Sequence, residues 1–244
     1  MAEKAPALGV RMTKKTKMII LHGWSYSLDK WRDFIDAMEK HGYECELLAV
    51  PGLTQAIDKV WTLDDYIAWL DKLLDSREKP ILLGHSNGGR LALAYTHRFP
   101  HKVQSLILIA SAGVIHKDLK TRAKKTFFKW LAKAGKLLAP SEKLKKILYT
   151  FARERDYYQA SPIMKQTMIN LISVDMVPLL VDINIPTLLV WGEKDRVTPL
   201  SDGQTMQAAL PKAKLVTLPA AKHAPQFSHP QETAAIIVNN QAKI

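Results

Sequence analysis

Three side chains in the 244-residue sequence have the types and the spacing for acyl transfer through a hydroxyl: Ser86, Asp195 and His223. Ser86 sits in Gly84-His85-Ser86-Asn87-Gly88-Gly89, directly after the apolar run Pro80–Leu83 and before a stretch with helical spacing. A G-x-S-x-G turn between strand and helix bends the backbone sharply. Small residues must therefore flank the serine, whose hydroxyl is presented at the head of the helix. Taken alone, the segment is only a glycine-rich turn with a weak affinity for anions. A serine by itself is a poor nucleophile and needs a base oriented by an acid. Both stand in matching places. Gly192-Glu193-Lys194-Asp195 follows the apolar run Thr187–Trp191, and Leu218-Pro219-Ala220-Ala221-Lys222-His223 follows Lys214–Thr217. A buried acid holds a histidine in the tautomer whose Nε2 takes the serine proton, and it stabilises the imidazolium that forms. Glu193 competes with Asp195 for the acid, as do Asp175 and Asp182 from another loop, and His229 competes with His223 for the base.

Those residues need a scaffold that delivers strand ends to one place. Short apolar runs of strand length, Lys17–Leu21, Glu44–Ala49, Pro80–Leu83, Val103–Ile109, Thr187–Trp191 and Lys214–Thr217, alternate with stretches of helical spacing. The helices are expected around Ser27–Lys40, Thr62–Ser76, Asn87–Phe99, Leu200–Leu210 and Gln231–Asn240. Runs that are apolar on both faces belong to a sheet covered on both sides, so the pattern predicts an α/β fold with a doubly wound, mostly parallel sheet. In such sheets ligands bind outside the carboxyl ends of the strands, which is where Ser86, Asp195 and His223 fall.

The alternation breaks once. Residues 113–180 contain helical patterns and no strand, which reads as a helical cap inserted into a core made of residues 1–112 and 181–244, a single domain overall. Leu119, Ala123, Phe127, Trp130, Leu131, Ala134 and Leu138 recur on one helical face, with lysines over the remainder. Val114–Arg155 holds 13 Lys+Arg against 3 acids, about +10 of the formal net charge of +12. A simple cap with a solvated basic back accounts for this, and the same arrangement also fits weak contact with an anionic membrane. No helix-turn-helix, zinc-finger, KH or RNP signature accompanies the charge, so nucleic acid is not an expected partner. The 47% hydrophobic content excludes a disordered chain, and no apolar run approaches the roughly 18 residues that cross a bilayer. Met1–Lys17 lacks the apolar stretch of a secretory signal and Cys45 is the one cysteine, so the expected compartment is the cytoplasm. The sequence assigns no oligomeric state.

Taken together, Leu21-His22-Gly23-Trp24, Gly84–Gly89, Ile185–Pro199 and the His223 segment resemble the α/β-hydrolase fold superfamily over nearly the whole chain. The resemblance implies Ser86 as nucleophile, Asp195 as acid and His223 as base. It also implies the backbone N–H groups of Trp24 and Asn87 as the oxyanion hole, and the insertion as a cap whose aromatic side lines the pocket. Candidates for that lining are Phe127, Trp130, Leu131, Phe151 and Tyr157. His22 is expected to be a structural hydrogen-bonding residue, His85 to point away from the nucleophile, and His229 to begin the last helix as a packing or capping group.

Two departures from the family pattern stand out. Only a short segment precedes Lys17, so the opening antiparallel strands are reduced and about six strands are expected. Ala49-Val50-Pro51-Gly52-Leu53 also lacks the usual Asp-x-Pro-Gly-x-Gly. Relatives that form alkyl-ester intermediates carry aspartate where Ser86 stands, so an acyl-enzyme is implied here, with no metal or cofactor. The expected activity is hydrolysis of an ester or thioester of a small to medium apolar acyl group. Cleavage of a carbon–carbon or peptide bond by the same triad is one alternative, and a ligand-binding protein with a vestigial triad is another.

Overall fold

A computed structural model of the chain describes residues 15–24, 27–74, 78–115 and 161–241. Six strands form one all-parallel sheet in the order β2-β1-β3-β4-β5-β6: β1 Thr16–Leu21, β2 Tyr43–Leu48, β3 Ile81–His85, β4 Ser105–Ile109, β5 Thr187–Gly192 and β6 Ala213–Leu218. Every residue of β3, β4 and β5 is buried, as continuous apolar runs require, whereas β2 and β6 at the edges carry mostly exposed and half-buried positions. The helices are α1 Arg32–Lys40, α2 Leu63–Leu74, α3 Asn87–Arg98, α4 Pro162–Ile172, α5 Leu200–Ala209, α6 Pro225–Ser228 and α7 Pro230–Gln241. α1 packs on α7 over one face, while α2 packs on α3 over the other, where α3 and α5 both meet the 3-10 turn Val177–Asp182.

Counting the 3-10 turn that opens the first helix, element boundaries shift by no more than two residues from the expected ones, for local reasons. The first helix opens as a 3-10 turn, Asp29–Trp31, that buries Trp31 against Phe34 and Phe227. β4 begins at Ser105 rather than Val103 because Pro100–Lys102 forms a 3-10 turn closed by Val103 N–H on the carbonyl of Pro100. Ahead of α4, the hydroxyl of Ser161 caps the N–H of Met164, with Pro162 at the first helical position. α4 then buries Met164, Thr167, Met168 and Leu171. It is tied to the core by Trp61 N–H on Thr167 Oγ1 at 3.0 Å and Asn170 Nδ2 on the carbonyl of Trp61 at 3.1 Å. The helical pattern from Leu119 to Leu138, and the candidate lining residues Phe127, Trp130, Leu131, Phe151 and Tyr157, lie outside the described residues. Among those described, no helix is long and apolar enough to cross a membrane.

The strand order reverses direction between β1 and β3, because the chain runs outward from β1 to β2 before returning to the other side of β1. Such a switch point opens a crevice at the carboxyl edge, here between the segment after β1 and the segment after β3. Gly88 lets α3 settle into it: a Cβ there would lie 2.1 Å from the carbonyl oxygen of Leu21 and 2.6 Å from that of His22. Since both obstacles are backbone, Gly88→Ala must push β1 from α3. We expect a loss of about 3 kcal/mol, read as a fall in melting temperature of about 6–12 °C by calorimetry; a change under about 2 °C contradicts the close approach.

Candidate active site

The turn between β3 and α3 places Ser86 at φ 52°, ψ −119°, a conformation that non-glycine residues seldom adopt. Such a backbone costs on the order of 1–3 kcal/mol and persists only where its surroundings over-determine it. Here they do. Ser86 N–H donates to the carbonyl of Ile109 at 3.1 Å, and the Ser86 carbonyl accepts from Gly89 N–H at 3.0 Å and from Ala112 N–H at 2.9 Å.

His223 arrives from the loop after β6. That loop runs so close over the end of β5 that a Cβ at Gly192 would be 2.3 Å from the carbonyl oxygen of Lys222. Lys194 N–H fastens the two loops by donating to the carbonyl of Ala221 at 3.0 Å. The result is a continuous chain: His223 Nε2 lies 3.0 Å from Ser86 Oγ, and His223 Nδ1 lies 2.9 Å from Asp195 Oδ2. A carboxylate only accepts, so Nδ1 carries the proton and Nε2 is left with its lone pair facing the serine hydroxyl.

The Asp195 side chain is fully buried, and its two oxygens are saturated with donors. Oδ1 accepts from Val197 N–H at 2.7 Å and Thr198 N–H at 3.1 Å, and Oδ2 accepts from the Thr198 hydroxyl at 2.9 Å as well as from His223. Burial by itself raises the pKa of a carboxyl; the bond to His223, its charge and the donors from Val197 and Thr198 outweigh this and hold Asp195 below the usual carboxylate range. The other candidate acids are elsewhere. Glu193 is exposed and accepts from the Thr217 hydroxyl at 2.8 Å, Asp182 is on the surface beside His97, and Asp175 stands near Arg90 with Oδ1 accepting from Val177 N–H.

The remaining histidines divide the structural work. His22 donates from Nδ1 to the carbonyl of Gly23 at 2.8 Å, and its Nε2 accepts from Val50 N–H at 3.3 Å, so it braces the segment after β1 against the loop after β2. Burial lowers its affinity for a proton. His85 turns to the backbone of His223, donating from Nε2 to its carbonyl at 3.1 Å, and packs between Trp31, Phe227 and the His223 ring. Burial, and next the nearby His223, push His85 down to about 3, so no second imidazolium opposes a proton on His223 near neutral pH. His229 lies at the junction of α6 and α7, its carbonyl accepting from Thr233 N–H at 2.9 Å.

Trp24 and Asn87 face the same corner from two strand ends. A Cβ on Gly23 would come 2.9 Å from Ser86 Cβ, so the backbone entering Trp24 runs beside the serine. Asn87 opens α3, where the first N–H groups of a helix have no partner within it. A backbone N–H left without a partner beside a nucleophile can stabilise the charge that develops on an attacked carbonyl. Among the described residues, no cluster of three His, Cys, Asp or Glu is placed to hold a metal ion.

Thr198 is a contributor that motif reading passed over. Its hydroxyl reaches three groups: Asp195 Oδ2, the carbonyl of Ala110 at 3.0 Å and His223 Nδ1 at 3.3 Å. The signal was present in Asp195-Arg196-Val197-Thr198, because an aspartate followed by such residues folds back onto its own backbone N–H groups. Thr198→Val keeps the volume and removes one donor from the carboxylate, so the Asp195–His223 pair takes up its proton at higher pH. A fall of about tenfold in kcat/KM, with the acid limb of the pH profile moved upward and both effects reversed in Thr198→Ser, is the expected outcome. An unmoved acid limb in Thr198→Val rules this role out.

The profile of the alpha/beta hydrolase fold family matches residues 17–230. Lipase 3 of Moraxella sp. is 23% identical over 239 residues, covering 89% of this chain and 74% of that protein. A pimeloyl-[acyl-carrier protein] methyl ester esterase of Aromatoleum aromaticum is 26% identical over 247 residues, covering 90% of this chain and 96% of the relative. A 2-hydroxy-6-oxononadienedioate/2-hydroxy-6-oxononatrienedioate hydrolase of Klebsiella pneumoniae is 26% identical over 263 residues, covering 94% and 88%. With the parallel sheet, the strained serine turn and a family match spanning most of its length, the chain belongs to the alpha/beta hydrolase fold family.

Proposed function

We propose that the protein is a serine hydrolase that cleaves a carboxylic ester or thioester of a small to medium acyl group through an acyl-enzyme. The observation that carries this reading is the hydrogen-bonded chain from Ser86 Oγ through His223 to a buried Asp195. As Oγ bonds to the substrate carbonyl carbon, His223 Nε2 takes the hydroxyl proton and Asp195 stabilises the imidazolium. The carbonyl electrons move onto oxygen, held by the N–H groups of Trp24 and Asn87. Collapse expels the alcohol or thiol, which leaves with the proton from His223. Water then gives a proton to His223 and attacks the acyl carbon, and the acid departs as Ser86 recovers its hydrogen. The reading is supported by relatives named as a lipase and as a methyl ester esterase.

Labelling with a fluorophosphonate probe, together with hydrolysis of p-nitrophenyl esters from about two to about twelve carbons, tests it. Labelling and turnover are expected, and the chain length of the fastest ester measures the acyl pocket. Folded protein that neither labels nor turns over any ester overturns the reading. Cleavage of a 2-hydroxy-6-oxo-dienoate with no ester turnover would move the protein to the carbon–carbon hydrolases, which the Klebsiella relative is named for.

A further inference from the structure

Asn87, the residue after Ser86, is 2% exposed, yet neither its Oδ1 nor its Nδ2 has a hydrogen-bond partner among the described residues. Leaving a carboxamide buried and unpaired is costly, so such a group in a folded protein demands a cause. Its direction follows from the next two residues. A side chain at Gly88 would strike the backbone of Leu21, and one at Gly89 would lie 2.3 Å from Ser111 Oγ, so these positions mark the sheet-facing side of the first turn of α3. At about 100° per residue, Asn87 points roughly 150° away from their mean direction. On that outer side Arg90 donates to the carbonyl of Val174, beyond the end of α4. The carboxamide therefore stands at the head of the helix, next to the nucleophile, on the side of α3 where Arg90 meets the segment after α4.

We propose that the Asn87 side chain selects the acyl group by hydrogen-bonding a neutral hydroxyl carried roughly two or three bonds from the scissile carbonyl. This rests on the acyl-enzyme reading above and narrows its substrates to hydroxyacyl esters. Nδ2 offers a donor and Oδ1 an acceptor, and a hydroxyl can serve either. A carboxylate suits the position poorly, because a carboxamide brings no charge to offset the desolvation of an anion. A purely apolar acyl chain would leave both polar atoms unpaired in the bound complex, which is the arrangement by which buried polar groups reject analogues that lack a hydroxyl.

The test uses the purified protein and three methyl esters that share one leaving group: butanoate, 2-hydroxybutanoate and 3-hydroxybutanoate. Each kcat/KM is divided by that ester's rate of hydroxide-catalysed hydrolysis, which removes the electronic effect of the hydroxyl. At least one hydroxy ester is expected to exceed butanoate by about tenfold or more, with the ratio falling to about one in Asn87→Leu and in Asn87→Ala. Equal corrected values in the wild type overturn the inference, as does a preference that survives in both variants. Fluorophosphonate labelling separates the two possible failures. A labelled protein without hydroxyl preference sinks the Asn87 assignment alone, whereas a folded protein that neither labels nor hydrolyses any ester sinks the hydrolase reading too.

Discussion

Ser86→Ala is expected to abolish fluorophosphonate labelling and to lower kcat on p-nitrophenyl esters by about 10⁶-fold, with the melting temperature close to that of the wild type. The size of the effect comes from removing the atom that forms the covalent intermediate, so the variant retains only binding and the two backbone donors. Its fold is spared because the backbone bonds that hold residue 86 at φ 52° run through its N–H and carbonyl and not through the hydroxyl. His223→Ala should cost nearly as much. The two changes together should cost no more than either alone, since a nucleophile and its base act as one unit. A double variant that falls a further 10³-fold or more below the single ones would show that each residue serves a separate reaction.

Asp195→Asn is expected to lower kcat by about 10⁴-fold while Glu193→Gln stays within about twofold of wild type. The carboxamide keeps an acceptor for Val197 and Thr198 N–H if its oxygen takes the place of Oδ1. Its NH₂ then replaces Oδ2 and faces His223 Nδ1, two donors in opposition. The imidazole resolves this by moving its proton to Nε2, and a protonated Nε2 at 3.0 Å from Ser86 Oγ cannot accept the hydroxyl proton. Glu193 is the control because it lies two residues away on the same loop, on the exposed side. Measured kcat values in the opposite order would move the acid to Glu193 and break the geometric argument.

The central strands were legible because burial on both faces leaves a continuous apolar string, as in Leu106–Ile109 and Leu188–Val190. Ser86, Asp195 and His223 were legible for a related reason: each follows a strand end, and parallel strands deliver their ends to one edge. The contribution of Thr198 to the site was not. Its hydroxyl is placed between Asp195 Oδ2 and the carbonyl of Ala110, 88 residues earlier and itself at φ 45°, and neither periodicity nor composition encodes such a meeting. His85 shows the same limit. Its position before the nucleophile was plain, but its bond to the His223 backbone depends on how closely the loop after β6 crosses Gly192. At the edges, β2 and β6 keep half-exposed residues, so their apolar pattern is diluted.

The position of β6 at the sheet's edge, with β5 as its one neighbour, sets when the enzyme can first act. Ser86 and His223 are separated by 137 residues, and the base is delivered by the loop after β6, the last strand in the described chain. At a synthesis rate of about 5–20 residues per second, the nucleophile turn waits on the order of ten seconds on the ribosome before its base exists. A nascent chain that has formed β1–β5 carries the strained serine but no reactive alkoxide equivalent, and so cannot acylate itself on passing esters. Acquisition of activity during refolding is therefore a clock for docking of the C-terminal strand, and should lag behind the recovery of far-UV circular dichroism.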